Sequence, residues 1–374
     1  LMLVPGTSHA IMVAHTQDNL GPQTAEQILS IYAGLRARFP QASILASTMD
    51  TNAHQLAQVK PELPVITREI ADTWIHGVGT DPQKVAHYRE LLRLRTEWLS
   101  DEGTSPNDPD FQQLSNFLMM VPEHTWGMDE KTHLADYSNY NRRQFEQVRH
   151  TGKFRGFAAS WLEQRGYLDD AVASLGDSAH GEEARARLDA LEPAAPSRSG
   201  FERVAELAVL IDTEFFAISF NRATGAIAHL KDKRDGYVWA NGSQMLGWVR
   251  YQTFSQTDYD RFVDQYLDAS LDWALADFSK PGMAQAGAAS GWWQPSLSGL
   301  WRKVDSTGHS FLLRLDIPEQ RESLCGCPRV FYQEVFQPRA EPVLQFTLQW
   351  FDKPASRLPE ALWFSFCPSV PDPD

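Results

Sequence analysis

The pattern of apolar residues changes twice along the chain, and this change constrains the fold more than any single motif. In residues 1–80, short apolar segments alternate with segments of helical periodicity. The predicted strands lie at 10–15, 41–48 and 63–67, and the predicted helices at 25–39 and 51–59. Strands that alternate with helices are typical of a parallel α/β unit. We therefore expect residues 1–80 to belong to a partial (β/α) barrel-like domain.

Residues 81–180 have helical periodicity throughout. Asp81-Pro82 is typical of a helix start, because an aspartate caps the helix and proline is tolerated at its first position. The predicted helices cover 81–99, 111–121, 129–149 and 160–175. Their short connections favour an antiparallel helical bundle. Residues 176–200 are rich in glycine, alanine, proline, serine and charge, and we interpret them as a short helix and then a linker, with the linker assigned to 181–200.

From residue 201 to 374 the apolar residues recur with a period of two, which predicts short strands. The predicted strands are 208–213, 216–221, 226–232, 237–241, 249–255, 310–317, 329–337 and 343–352. Turn signals containing glycine separate several of them. The pattern predicts an antiparallel β-sandwich.

Charge and composition narrow the possible partners. The chain of 374 residues has a net charge of −14, which argues against a nucleic acid partner. It has 12 tryptophans, a residue type that often provides flat surfaces for sugar rings. No apolar run approaches the ~18 residues of a membrane span, so no membrane partner is expected. Nothing in the pattern indicates an oligomeric state.

The cysteines give no disulfide framework, because there are only three, at positions 325, 327 and 367. Cys325-Gly-Cys327 lacks the second pair that a zinc site requires, so two reduced thiols are the simpler interpretation. Sparse cysteines favour a reducing, cytoplasmic compartment.

The segment PEHTWGMDEKTHLADY, residues 122–137, combines an acid, a histidine and a tryptophan directly after an apolar helix. His124 is either a ligand or base held at a helix start, or a histidine that only packs there. Glu130 and His133 have the E-x-x-H spacing of metal-binding bundles, but no second motif supplies the other ligands. A solvated helix face is therefore the favoured interpretation of that pair.

Polar residues that follow predicted strands are also site candidates, because ligands of parallel α/β folds bind at the carboxyl ends of the strands. Asp18 follows the first predicted strand. Asp72, Trp74 and His76 follow the strand at 63–67. The alternative for Asp18 is a turn residue before Asn19, and for Trp74 a place in the core.

The order of the three regions and several motifs resembles the class II α-mannosidases of glycoside hydrolase family 38. Segment 41–50 is similar to the family's strand that ends in a Ser-Thr-Pro turn. Segment 74–91 is similar to its tryptophan-glycine segment that leads into a helix. Segment 117–137 resembles its helix with a His-His-Asp-Ala motif, and segment 223–239 resembles the start of its sandwich.

The resemblance implies a retaining, zinc-dependent hydrolase of α-mannoside-like glycosides. His124 takes the place of a zinc ligand. Glu123 or Asp129 would accept a hydrogen bond from the imidazole nitrogen that does not bind the zinc. Asp18 takes the place of the general acid. Substrate-binding residues would be Asp72, Trp74, His76 and Trp126. Such enzymes need two carboxyl groups about 5–5.5 Å apart.

The chain departs from the family at points that bear on activity. Glu123 and Thr125 replace the first histidine and the aspartate of the His-His-Asp-Ala motif. No nucleophile or His-x-Asp pair is found near the start. We therefore expect a C-terminal fragment of a longer enzyme, inactive alone, from a divergent branch. The alternative is a non-catalytic carbohydrate-binding protein or a degenerate scaffold that has kept the fold.

Overall fold

The computed structural model describes residues 2–4, 6–16, 21–67, 81–100, 104–122, 127–206, 209–266, 272, 275–276, 279–317 and 325–371. The chain divides into two compact units, Leu1–Ala71 and Asp72–Asp374. Described residues of the first unit form helices and one small sheet, and those of the second form helices and two larger sheets. The expected combination of helices with antiparallel sheets is thus confirmed in outline.

The first unit has two helices close to the predicted positions. Strands β1 (Met2–Leu3) and β2 (Ala10–Ile11) pair antiparallel, and helices α1 (Ala25–Arg38) and α2 (Met49–Gln58) follow. The Thr24 side chain accepts a hydrogen bond from the Gln27 backbone N–H, and the Gln27 side chain accepts one from the Thr24 backbone N–H. This reciprocal cap fixes the start of α1.

The predicted strands of this unit are mostly wrong. Residues 43–48 and 64–67 are in no helix or strand, and only Ala10–Ile11 of the segment 10–15 is a strand. A strand requires a neighbour for its backbone N–H and C=O groups, and within 2–67 the described residues supply none for these segments. A parallel, barrel-like sheet is not formed by the described residues.

Helices form the first half of the second unit. They are α3 (Pro82–Ser100), α4 (Pro109–Met120), α5 (Glu130–His133), α6 (Arg142–Val148), α7 (Gly152–Ala173) and α8 (Ala179–Asp189). Leu91, Leu94, Leu114 and Leu168 lie in one buried apolar cluster. Asp81 caps α3 by accepting the Lys84 backbone N–H, so the predicted start of this helix is confirmed.

One predicted helix is broken into two, and the short helix predicted within 176–200 is confirmed as α8. The segment 129–149 forms α5 and α6 instead of one helix, because its polar residues bond the backbone locally. The Asp136 carboxylate accepts from the Asn139 backbone N–H, and Asn141 forms a capping box with Gln144 that starts α6 anew. Helix α8 occupies the first half of the segment 181–200.

Two antiparallel sheets form the second half of the unit. One has the order β13-β12-β11-β10-β3 and the other the order β14-β8-β6-β5-β4, with β7 beside β6 and β9 beside β8. Their bounds are β3 Glu202–Arg203, β4 Ile211–Asp212, β5 Phe216–Phe220, β6 Ile227–Asp232, β7 Val238–Ala240, β8 Leu246–Thr253, β9 Gly291–Trp293, β10 Ser296–Val304, β11 Gly308–Asp316, β12 Val330–Pro338, β13 Gln345–Trp350 and β14 Glu360–Phe366. Helix α9 is Gln256–Tyr266.

The two sheets share one apolar core. Ile218 and Phe220 of β5 belong to the same buried cluster as Phe311 of β11 and Val335 of β12. The ring centroids of Phe220 and Phe311 are 5.2 Å apart.

All eight strand predictions after residue 201 overlap an observed strand, whereas β3, β9, β10, β14 and α9 were not predicted. Among the described residues, no helix is long and apolar enough to cross a membrane.

Candidate functional site

The outer face of the larger sheet carries a group of tryptophans at its β14-β8-β9 edge. Along β8, Val249, Tyr251 and Thr253 are buried in the core. Successive strand residues point to opposite faces, so Trp248, Arg250 and Gln252 lie on the outer face. The local alternation of the sequence WVRYQT thus separates an apolar inner row from an aromatic and polar outer row.

Neighbouring strands extend this outer row. In β14, Trp363 pairs with Arg250 and Ser365 pairs with Trp248. In β9, Trp292 pairs with Gln252. We call these six residues, Trp248, Arg250, Gln252, Trp292, Trp363 and Ser365, the tryptophan surface.

The side chains of the tryptophan surface contact one another closely. The Arg250 Cζ atom lies 4.4 Å from the ring centroid of Trp248 and 4.8 Å from that of Trp292. The rings of Trp292 and Trp363 are 6.2 Å apart with an interplanar angle of 35°. An arginine over tryptophan faces is a favourable cation–π arrangement. These contacts hold the rings together on the sheet.

Exposure and hydrogen bonds show what this surface presents to solvent. Trp292 is 53% exposed and Trp363 is 44% exposed. Trp363 Nε1 donates to Gln252 Oε1 at 3.0 Å, and Arg250 Nη2 donates to Ser365 Oγ at 3.1 Å. The surface therefore combines open aromatic rings with polar groups whose directions are fixed.

The inner side of the same strands is fixed by Glu360. Its carboxylate accepts from the Tyr251 hydroxyl and from the Gly326 backbone N–H at 2.9 Å, and it pairs with Lys353. Burial, followed by the negative charge of Glu360, raises the pKa of Tyr251. A neighbouring cavity of about 20 Å³, lined in part by Cys325, has room for about one water molecule. This inner cluster therefore supports β8 and β14 and leaves no space for a substrate.

A second group of charges surrounds Arg357, between the helices and the sheets. Arg357 Nη1 lies 3.0 Å from Asp136 Oδ1, and Nη2 binds the Glu130 carboxylate. Its Cζ is 4.8 Å from the Tyr140 ring centroid. Lys280 Nζ lies 3.8 Å from Glu130 Oε2. We call Glu130, Asp136, Tyr140, Lys280 and Arg357 the arginine cluster.

The arginine cluster is balanced in charge, with two cations and two carboxylates. Burial acts to raise the pKa of Asp136, but hydrogen bonds from Asn139, Ser138 and Arg357 outweigh it and lower that pKa to about 2. Burial lowers the pKa of Lys280, although Glu130 opposes the effect. Because each charge has a partner of opposite sign, the cluster holds two parts of the unit together and is not a site for a ligand.

Most residues that the sequence assigns to a site lie outside the described residues. These are Asp18, Asp72, Trp74, His76, Glu123, His124 and Trp126.

Asp129 is the predicted site residue that the structure describes. Its carboxylate accepts from the Lys131 backbone N–H at 3.0 Å and the Thr132 hydroxyl at 2.6 Å, which caps α5. Burial acts to raise the pKa of Asp129, but the bonds from Thr132 and Lys131 lower it.

The described residues do not form a metal site. No group of three or more His, Cys, Asp or Glu side chains in the described ranges has the arrangement to hold an ion. Glu130 is engaged by Arg357 and Lys280, whereas His133 is exposed. The described residues therefore offer no set of zinc ligands, and His124, which the resemblance assigns to zinc, lies outside them.

Sequence reasoning noted the many tryptophans but did not locate the tryptophan surface. The strand predicted at 249–255 overlaps β8 but begins three residues late and leaves out Trp248. The partners were missed because β9 has only three residues, and the β14 sequence EALWFSF has no regular alternation of apolar and polar residues. Trp292 and Trp363 come together only through strand pairing across 71 residues of sequence, which no local pattern reports.

These observations define a protein in which helices precede two antiparallel sheets, with an exposed aromatic surface on one of them. The sequence profile of a family described as a domain of unknown function (DUF5054) matches residues 78–345. The match covers well over half of the chain, which therefore belongs to this family. It includes Trp248, Arg250, Gln252 and Trp292. No curated protein matches the chain.

Proposed function

We propose that this protein binds carbohydrate through the tryptophan surface. The observation that carries the proposal is the pair of half-exposed rings, Trp292 and Trp363, held 6.2 Å apart on a rigid sheet. Tryptophan offers a large apolar face together with a polar edge, and sugar rings have apolar faces bordered by hydroxyls. Gln252, Ser365 and Arg250 border the rings and supply donors and acceptors for those hydroxyls.

The rigidity of the surface supports a binding role. Arg250 lies between two tryptophans, and Trp363 is fixed by its bond to Gln252. Side chains that are already ordered lose little conformational entropy when a ligand binds. The inner cluster at Glu360 fixes the two central strands from the other side. An open, flat and rigid surface suits a segment of a polysaccharide better than a small molecule, which proteins enclose in a cavity.

A second candidate is the glycoside hydrolase of family 38 type that the sequence motifs imply. In its favour, helices in 82–189 are followed by antiparallel strands in 202–366, the order that the resemblance requires. In this proposal the architecture consists of a barrel-like domain, a helical bundle and a β-sandwich. Asp18 acts as general acid, His124 holds zinc, and the tryptophan surface retains the substrate. No described residue supplies the nucleophile.

Affinity electrophoresis tests the binding proposal. The protein migrates through native gels that contain mannan, xylan, galactan, polymannuronate or polygalacturonate. The retardation in each gel gives the affinity. We expect retardation by at least one of them, and an at least tenfold loss of affinity in Trp292→Ala and Trp363→Ala. Stacking on an aromatic ring contributes about 1–3 kcal/mol in comparable complexes, which corresponds to this loss.

Trp161→Ala is the matched control, because Trp161 is 45% exposed but lies on helix α7, away from the sheet edge. Its affinity should equal that of the unmodified protein. No retardation in any gel, or an equal loss in all three variants, would contradict binding at the tryptophan surface. Far-UV circular dichroism of each variant checks that the fold is retained.

The hydrolase candidate has a separate test. Metal analysis measures zinc per chain before and after chelation, and release of mannose from α-mannosides measures turnover. If the chain or its longer parent is this enzyme, His124→Ala loses both the zinc and the turnover. Carbohydrate binding that persists with no bound zinc and no turnover would leave the binding role alone.

A further inference from the structure

We infer that the tryptophan surface selects sugars that carry a carboxylate, such as hexuronic acid residues, through Arg250. This inference rests on the proposed carbohydrate binding and names its ligand class. Of the six residues of the surface, Arg250 is the one that carries a formal charge, whereas the chain as a whole has a net charge of −14. A cation retained within an aromatic surface of a strongly acidic protein indicates complementarity to an anion.

Arg250 has no carboxylate partner among the described residues. Several other arginines of the second unit bond a carboxylate of the protein, as Arg165 does with Asp81 at 2.6 and 2.9 Å. Arg250 instead donates to the neutral hydroxyl of Ser365. Its positive charge is therefore not compensated by a side chain of the described part of the chain.

The three nitrogen atoms of the Arg250 guanidinium differ in burial and in hydrogen bonding. Its Nε is buried and has no acceptor in the described structure, while Nη2 is partly used by Ser365. Nη1 makes no hydrogen bond to a described residue, and Nη2 uses one of its two N–H groups for Ser365. A guanidinium offers a planar edge that matches a carboxylate with two parallel N–H···O bonds. The Nη1–Nη2 edge of Arg250 is therefore the edge that a carboxylate reaches.

The tryptophans set the position of the sugar relative to this edge. Trp292 lies with its centroid 4.8 Å from Arg250 Cζ, and Trp363 is the strand partner of Arg250. A pyranose that stacks on one of these exposed rings has its ring substituents beside the guanidinium. The carboxylate of a uronic acid is such a substituent, and in the neutral counterpart a hydroxymethyl group takes its place.

Matched pairs of polysaccharides test this selectivity, namely neutral mannan against polymannuronate and galactan against polygalacturonate. We expect the acidic member of at least one pair to bind about tenfold more tightly, as a charge-assisted pair of hydrogen bonds allows. The preference should decrease as salt rises from 0.05 to 0.5 M, because salt screens an exposed ion pair. This measurement uses the unmodified protein and needs no variant.

Arg250→Gln tests the residue itself. It should abolish the preference for the acidic member, so that the acidic and neutral members of each pair bind the variant with equal affinity. Arg198→Gln is the matched control, because Arg198 lies 4.1 Å from the centroid of Trp301, away from the tryptophan surface. That variant should keep the preference. Equal affinity for acidic and neutral members, or a preference that survives Arg250→Gln, would overturn the inference and leave carbohydrate binding intact. Binding of neither class overturns both.

Discussion

The two units of the chain differ in burial far more than in local structure. Helix α1 begins with a complete capping box, yet none of its residues is buried, and the same absence of burial holds for α2. Helix α3 in the second unit buries five residues, among them Leu91 and Leu94 with no exposed surface. Helices therefore form in both units from local signals, and only the second unit adds a packed core.

Exposed apolar side chains show the same contrast. In the described part of the first unit, large hydrophobic residues are open to solvent: Met2, Leu3, Met12, Val13, Ile28, Leu29, Leu45, Met49, Val65 and Ile66. Apolar surface removed from water contributes about 25 cal/mol per Å², so these residues add little stability where they are. The comparison teaches that a helix cap fixes where a helix begins, whereas the burial of its apolar side chains determines how much the helix stabilises the protein.

The largest effect is expected when a leucine is replaced by alanine in each unit, because the two units differ in burial. Leu313, on β11, has no exposed surface, whereas Leu29, on α1, is 70% exposed. Leu313→Ala should reduce the free energy of unfolding by about 2–5 kcal/mol, because it leaves a cavity in the core. Leu29→Ala should change it by less than about 0.5 kcal/mol. Urea denaturation followed by circular dichroism measures both, and equal losses would show that α1 is packed after all.

The next largest effect concerns the arginine cluster. Arg357→Met removes the shared partner of Glu130 and Asp136 and leaves both carboxylates in a half-buried place. We expect a loss of about 3 kcal/mol in the free energy of unfolding. Arg149→Met is the control, because its pair with Glu146 is exposed on α6 and such pairs contribute less than about 1 kcal/mol. Similar losses in the two variants would refute the special role of the cluster.

The same contrast explains what the sequence could predict. Caps and periodicity placed α1, α2 and α3 close to their observed ends, because these signals act within one or two turns. Period-two alternation placed β5, β6, β11 and β12, whose inner rows face the shared core. The strands predicted at 41–48 and 63–67 have the right composition but no neighbour in the described structure, so their backbone remains unpaired in any sheet.

Long-range pairing and local polar competition explain the remaining errors. The break at 134–141 follows from the bonds that Asp136 and Asn141 make to nearby backbone, which outweigh the helical period. Leu297 and Gly299 of β10 sit at a bulge that interrupts its alternation. The tryptophan surface requires three strands from distant parts of the sequence. The sequence alone therefore predicts a strand that overlaps β8 but not the surface that this strand forms with β9 and β14.

The acid stability of the second unit depends on Asp136. Its pKa is lowered in the folded state from the ordinary 3.8 to about 2. A lowered pKa means that this stabilisation is fully present above about pH 4 and is lost as the pH falls toward 2. The contribution is about 2 kcal/mol. Asp136→Asn should reduce the loss of stability between pH 4 and 2, measured by urea denaturation at each pH. An unchanged pH profile would exclude Asp136 as the source.

The smallest expected effect compares helix caps in the two units. Thr24→Ala removes the cap of α1 and Asp129→Ala removes the cap of α5. Each cap contributes about 1 kcal/mol locally, whatever the burial of its helix. Hydrogen exchange should therefore show faster exchange, by about fivefold, in the first turn of each affected helix. In urea denaturation, only Asp129→Ala should also lower the stability of the packed core, because α5 carries Glu130 of the arginine cluster. A core equally destabilised by Thr24→Ala would show that the two units unfold together.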